Sequence, residues 1–172
     1  MAENVSNREF ASSVSLVVTG SNLKPSDVST ALGIEPDSSW QRGDAKRAVD
    51  GLHEWGCWKK HLPGGHEDDP FTPQLQIWVD LLEPRTTEIR ALQELGCHFV
   101  LACFISVSGV ALVELTPGFQ KDLASLGIDV RMTIWAGQKM PANSAFQRMP
   151  NGAAEFERQP PRAASARKQR RC

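Results

Sequence analysis

The chain has 172 residues, of which 41% are hydrophobic, enough to bury one sizeable core and too few for several. The net charge of −1 conceals a split, because residues 1–137 carry eleven Lys/Arg against eighteen Asp/Glu while residues 138–172 carry eight against two. A body at −7 argues against a globular nucleic-acid-binding face and leaves any such affinity to a +6 tail.

Residues 1–11 are polar and read as a loose N-terminus. Val14, Leu16 and Val18 then alternate with polar neighbours, as a half-buried strand requires. Lys24-Pro25-Ser26-Asp27 opens a short helix with proline in its first turn, and Leu23 is placed to pack on Val28. Glycines and prolines punctuate residues 35–70, where two strands are expected around Trp40-Gln41-Arg42 and His53–Trp58. From Thr72-Pro73 the spacing of Leu75, Trp78, Val79 and Leu82 predicts a helix with one buried face. Pro84 interrupts it, and Ile89, Leu92 and Leu95 repeat the pattern to residue 95. His98–Val107 has apolar residues on both faces and reads as a central strand. Ser108-Gly109 is expected to turn it into a further strand, Val110–Leu115. Thr116-Pro117 starts a helix with Phe119, Leu123 and Leu126 inward, and Val130, Met132 and Ile134 alternate with Asp129, Arg131 and Thr133 in a last strand. After Gly137 the periodicity stops, so residues 138–172 read as a basic disordered tail on a single domain spanning 12–137.

Three junctions share one signature: Leu32-Gly33-Ile34, Leu95-Gly96-Cys97 and Leu126-Gly127-Ile128. Each reads as a helix closing on a left-handed glycine, with the next apolar residue folded back on the last turn before a strand. The resulting order is three β-α-β units. It predicts an α+β fold with a mixed or largely antiparallel sheet, helices mainly on one face, and ferredoxin-like character.

The marks taken together resemble a known family. A strand, a proline-started helix ending Leu32-Gly33-Ile34-Glu35-Pro36, the run Trp40-Gln41-Arg42-Gly43-Asp44, a Trp-rich strand, a helix broken at Leu82-Glu83-Pro84 and the closing Leu126-Gly127-Ile128-Asp129 are similar to the bacterial family called domain of unknown function 4279, over about residues 12–136. That resemblance implies a fold and carries over no activity, cofactor or catalytic residue.

Four cysteines without paired spacing, and an N-terminus without basic and apolar signal regions, lead us to expect a cytoplasmic protein. The most apolar window, Phe99–Leu115, is interrupted by Ser106, Ser108, Gly109 and Glu114, so no membrane association is expected. No cofactor is expected either. Cys57, His61 and His66, followed by Glu67-Asp68-Asp69, have metal-ligand chemistry but the spacing of no familiar zinc site. A thiol nucleophile would pair Cys57 with His53 or His61, because a nearby base is what makes a cysteine reactive; the commoner reading is a packed, inert thiol. Trp40, Trp55 and Trp58, with Arg42 and Asp44 beside them and the acidic Glu67, Asp68 and Asp69 nearby, are the candidate binding residues, since aromatic rings anchor partners and acidic loops meet basic ones.

The functional expectation is therefore a non-catalytic module that binds a protein partner or ligand, in its sharpest form an immunity-type protein plugging a basic toxin. The alternatives are a small metal- or thiol-dependent hydrolase and a nucleic-acid accessory protein acting through Arg167-Lys168-Gln169-Arg170-Arg171.

Overall fold

The computed structural model describes residues 10–47, 50–62, 69–107 and 112–136. In chain order they form β1 (Phe10–Gly20), α1 (Pro25–Leu32), β2 (Ser38–Trp40), β3 (Gly56–His61), α2 (Phe71–Leu82), α3 (Thr86–Glu94), β4 (His98–Val107), α4 (Pro117–Leu126) and β5 (Asp129–Ala136). One five-stranded mixed sheet runs β2-β3-β1-β4-β5. The first four strands alternate antiparallel, and β5 is added parallel to β4 after the α4 crossover. The segment β2-β3-β1-β4 is the split β-α-β arrangement of ferredoxin-like folds, extended by one α-β unit.

All four helices contribute to a single core with Val14, Leu16 and Val18 of β1 and Phe99, Leu101, Cys103, Ile105 and Val107 of β4. The helices therefore lie on one face, and the opposite face carries the alternate residues of every strand. In α2 the spacing read from sequence holds, with Leu75, Trp78, Val79 and Leu82 all buried. The single turn Glu83–Arg85 around Pro84 tightens to a 3-10 helix and passes directly into α3.

The three Leu-Gly junctions close as their sequence predicts. Gly33, Gly96 and Gly127 sit at φ 69°, 86° and 65°. After α3 and α4 the next residue folds back, with Cys97 N donating to Leu92 O at 3.0 Å and Ile128 N to Leu123 O at 3.1 Å, the Schellman pattern that satisfies a helix's last carbonyls.

Two strand expectations are corrected. The strand expected over His53–Trp58 begins at Gly56 and runs to His61. Its partner ends there: Gly56 pairs with Gly20, the last residue of β1, and a Cβ on Gly56 would meet the Leu23 carbonyl oxygen at 2.6 Å. The chain enters the sheet where no side chain obstructs it. The strand expected at Val110–Leu115 is also absent over Leu112–Leu115, the part within the described residues. The edge of β4 that it would need is occupied by β5, in register from Val100 opposite Asp129 to Val107 opposite Ala136. By the same topology β1, rather than β4, is the middle strand.

β3 pairs with β1 only from Ser15 onward, so among the described residues the start of β1 has no strand on that side. The gap is closed by α2. Gln74, fully buried, accepts from Val14 N at 3.1 Å and donates to Ser12 O at 3.2 Å and to Asp69 O at 2.7 Å, while Trp78 Nε1 donates to Val14 O at 3.3 Å. Replacing Gln74 by Leu keeps the volume and removes these bonds. Each buried polar group left unpaired costs about 1–3 kcal/mol, so Gln74→Leu should lower unfolding free energy by about 2–4 kcal/mol, read as a fall in the urea midpoint with an unchanged slope.

Candidate functional site

Between β2 and β3 the chain leaves the sheet as a hairpin arm. Asp44 starts it: its carboxylate accepts from Gln41 N at 2.7 Å and its own N–H donates to Gln41 O at 3.2 Å, a local turn of the kind Asp favours. A short ladder then holds the two limbs, with Gly43 N donating to His53 O (2.8 Å), His53 N to Asp44 O (2.9 Å), an Ala45–Leu52 bridge, and Lys46 N to Gly51 O (3.0 Å).

At the root of the arm Trp40 stacks on His53, ring centroids 4.5 Å apart and planes 21° from parallel. Trp40 is half-buried and lies opposite Cys57 in the β2–β3 register. Its indole N–H is buried and has no acceptor among the described residues. Trp55, also half-buried, closes the arm, and Leu52 stands 61% exposed on it. Arg42, Lys46 and Arg47 balance Asp44, Asp50 and Glu54, so the arm has no net charge.

The other predicted binding residues are dispersed. Trp58 is corrected to a core residue: it is 0% exposed, faces the helices, and its Nε1 donates to Ser29 Oγ at 3.1 Å. Adjacent strand positions point to opposite faces, so Trp58 parts company with its neighbour Cys57. Asp69 lies past the far end of β3, its carbonyl accepting from Gln74. Glu67, Asp68 and His66 lie outside the described residues. Trp40 aligns with the start of β3 and Asp69 follows its end, so these two candidates sit at different ends of that strand.

Geometry also separates Cys57 from His61. Cys57 and His61 share a face of β3 but are four residues apart, about 13 Å along a strand, too far to share an ion or a proton. His53, expected beside Cys57 on one strand, is in the arm instead, against Trp40. Among the described residues no group of three His, Cys, Asp or Glu side chains is arranged to hold a metal ion. Cys97 and Cys103 resist ionisation: burial pushes the Cys103 pKa up to about 12, and burial, reinforced by Asp27, raises that of Cys97.

The face away from the helices carries a polar group that sequence reasoning missed. Ser15 Oγ lies 2.9 Å from His61 Nδ1 across the β1–β3 pair, and Lys59 stands two residues away on the same face. Burial lowers the Lys59 pKa against the opposing pull of Cys57 and Asp37. Ser15 is only 4% exposed, so its hydroxyl has no open approach for a substrate. The signal in the sequence was the alternation of Ser13, Ser15, Val17 and Thr19 opposite the apolar face of β1. Nearby, Asp37 binds both Lys60 Nζ and His61 N at 2.7 Å. Its partial burial would raise its pKa, but the bonds to Lys60 and to His61 N outweigh this and hold the carboxyl below its ordinary value.

No helix among the described residues is long and apolar enough to cross a membrane. The family model for the domain of unknown function DUF4279 matches residues 8–137, and the chain belongs to that family. No curated protein and no solved structure matches the chain.

A pKa held down in the fold means that Asp37 stabilises the protein above the unfolded carboxylate range and loses that effect as pH falls through its folded value. Asp37→Asn should therefore lower the thermal midpoint at neutral pH, and the gap from the parent should close on acidification. A gap that stays constant across a circular-dichroism pH series would contradict this linkage.

Proposed function

We propose that this domain is a non-catalytic binding module, and that it takes up a protein segment or ligand at the hairpin arm with Trp40 and His53 as the anchor. One observation carries the reading. An indole N–H excluded from water and without an acceptor among the described residues is costly unless something supplies one, and it stands at the root of an exposed arm. Reaching that N–H requires the Trp40–His53 stack to shift on binding, and the occupant is accordingly a molecule that presents a carbonyl or carboxylate oxygen beside an apolar surface.

Electrostatics supports a division of labour. The arm is neutral, so the local contact should depend on shape and hydrogen bonding, whereas the −7 of residues 1–137 favours encounter with a basic partner, as an immunity-type protein would require. The hydrolase alternative is the weaker one, because Cys57 and His61 are held about 13 Å apart.

The test places a photo-crosslinking side chain at Leu52, on the arm, and in a second protein at Lys121 on exposed α4. A species trapped in source-cell extract from position 52 and not from 121 is the expected result. Trp40→Phe keeps a ring and deletes the N–H, and should weaken that capture by about threefold to tenfold, the worth of one hydrogen bond. Equal trapping at both positions, or capture indifferent to Trp40→Phe, would overturn the proposal.

A further inference from the structure

We propose that two copies of this chain associate through the outer edge of β5, forming one continuous antiparallel sheet across a two-fold axis at Thr133. The two outer strands of the sheet are managed differently. β2 is three residues long, a length that offers little template for pairing, and it runs into the arm. β5 is eight residues long and, among the described residues, is paired on one side only, to β4.

The usual protections of an edge are missing from the second half of β5. Its charged residues, Asp129 and Arg131, lie in its first three positions, and Met132–Ala136 contains neither charge nor proline. Within that half Met132, Ile134 and Trp135 are 37%, 59% and 56% exposed. Three large apolar side chains along five residues of an open edge form a self-recognition surface rather than scattered surface exposure.

The order of residues is complementary to itself. A two-fold axis perpendicular to a sheet pairs positions on the same face, so it must pass through a residue. Centred on Thr133, it sets Met132 opposite the partner's Ile134 on the helix side and Arg131 opposite the partner's Trp135 on the other side, each twice. The first pair is apolar on apolar. The second places a guanidinium over an indole face, a favourable cation–π geometry. The axis also keeps the two Arg131 residues four positions out of line, so no like charges face each other. Centring on Met132 instead would put Asp129 against Trp135 and leave Arg131 beside Thr133.

Sedimentation velocity of the full chain over a concentration series tests the association. The expected result is a species of twice the 18.9 kDa chain mass, and Ile134→Lys should weaken self-association by at least about tenfold while leaving circular dichroism and the thermal midpoint unchanged. A register test accompanies it, in chains that also carry Cys172→Ser. Thr133→Cys, lying on the axis, should form an intermolecular disulfide on mild oxidation, because directly opposed strand positions fall within disulfide range, whereas Val130→Cys should not. A monomer at every concentration, or a dimer indifferent to Ile134→Lys, would overturn the proposal. So would a dimer that crosslinks equally well through positions 130 and 133, or one that captures a different protein at this edge in place of a second copy.

Discussion

The fold depends on how the first half of β1 is satisfied on the side away from β4. β1 is the central strand and has eleven residues, whereas β3 has six, so the backbone groups of Ser12 and Val14 face a side where, among the described residues, no strand reaches them. Gln74 and Trp78 occupy that place from α2. They are four residues apart, one above the other on a single helix face, and between them they engage both the N–H and the C=O of Val14. A neighbouring strand residue would do the same in a hydrogen-bonded pair. The helix thus completes the ladder with side chains while burying Leu75, Val79 and Leu82 in the core.

That single docking sets the course of the later elements. With α2 held against β1, the tight turn at Pro84 directs α3 so that Ile89 and Leu92 enter the same core. β4 then returns on the free side of β1, where ten residue pairs from Phe10–Val107 to Thr19–His98 are in register. Once β4 is in place, the three-residue β2 is one edge of the sheet and the outer edge of β4 is the longer of the two. A parallel strand can reach that edge only after a crossover, which α4 supplies, and a hairpin strand directly after β4 would compete for the same groups.

Most of this was legible in the sequence where a residue type has one conformational reason to be there. The Leu-Gly-apolar closures are of this kind, since only glycine enters the left-handed turn without strain, and the buried stripe of α2 follows from a helix's period. Gln74 was not legible, because an amide on an otherwise apolar face reads as a polar interruption until the fold brings Ser12 and Val14, some sixty positions away, against it. The limits of β3 were hidden for another reason. His53 and Trp55 continue the alternation of Cys57 perfectly well, but the partner strand β1 ends at Gly20, opposite Gly56, so the pairing goes no further. The candidate site suffered the same way: Trp40, Trp55 and Trp58 are close in sequence, yet alternation about Gly56 sends Trp58 into the core and leaves the other two around the arm.

The distribution of chemistry over the sheet follows from its topology. On β1 and β4 and at the start of β3 the helix face is sealed, so Cys103 and Trp58 serve packing whatever their intrinsic reactivity. On the other face β1 and β4 carry Ser15, Val17, Val100 and Ala102 between Lys59 and His61 on β3 and Arg131 on β5, with His98 at the start of β4 bound to Asp129. Three strand spacings of about 4.8 Å keep those two sets some 14 Å apart, too far to converge on one reacting atom. On the reading proposed above, recognition falls to the two boundaries of the sheet, where backbone groups and aromatic rings meet solvent. One boundary is short and carries the arm with its stacked Trp40, and the other is eight residues long with an apolar second half. Because four strand spacings, about 19 Å, lie between β2 and β5, occupying one boundary does not obstruct the other.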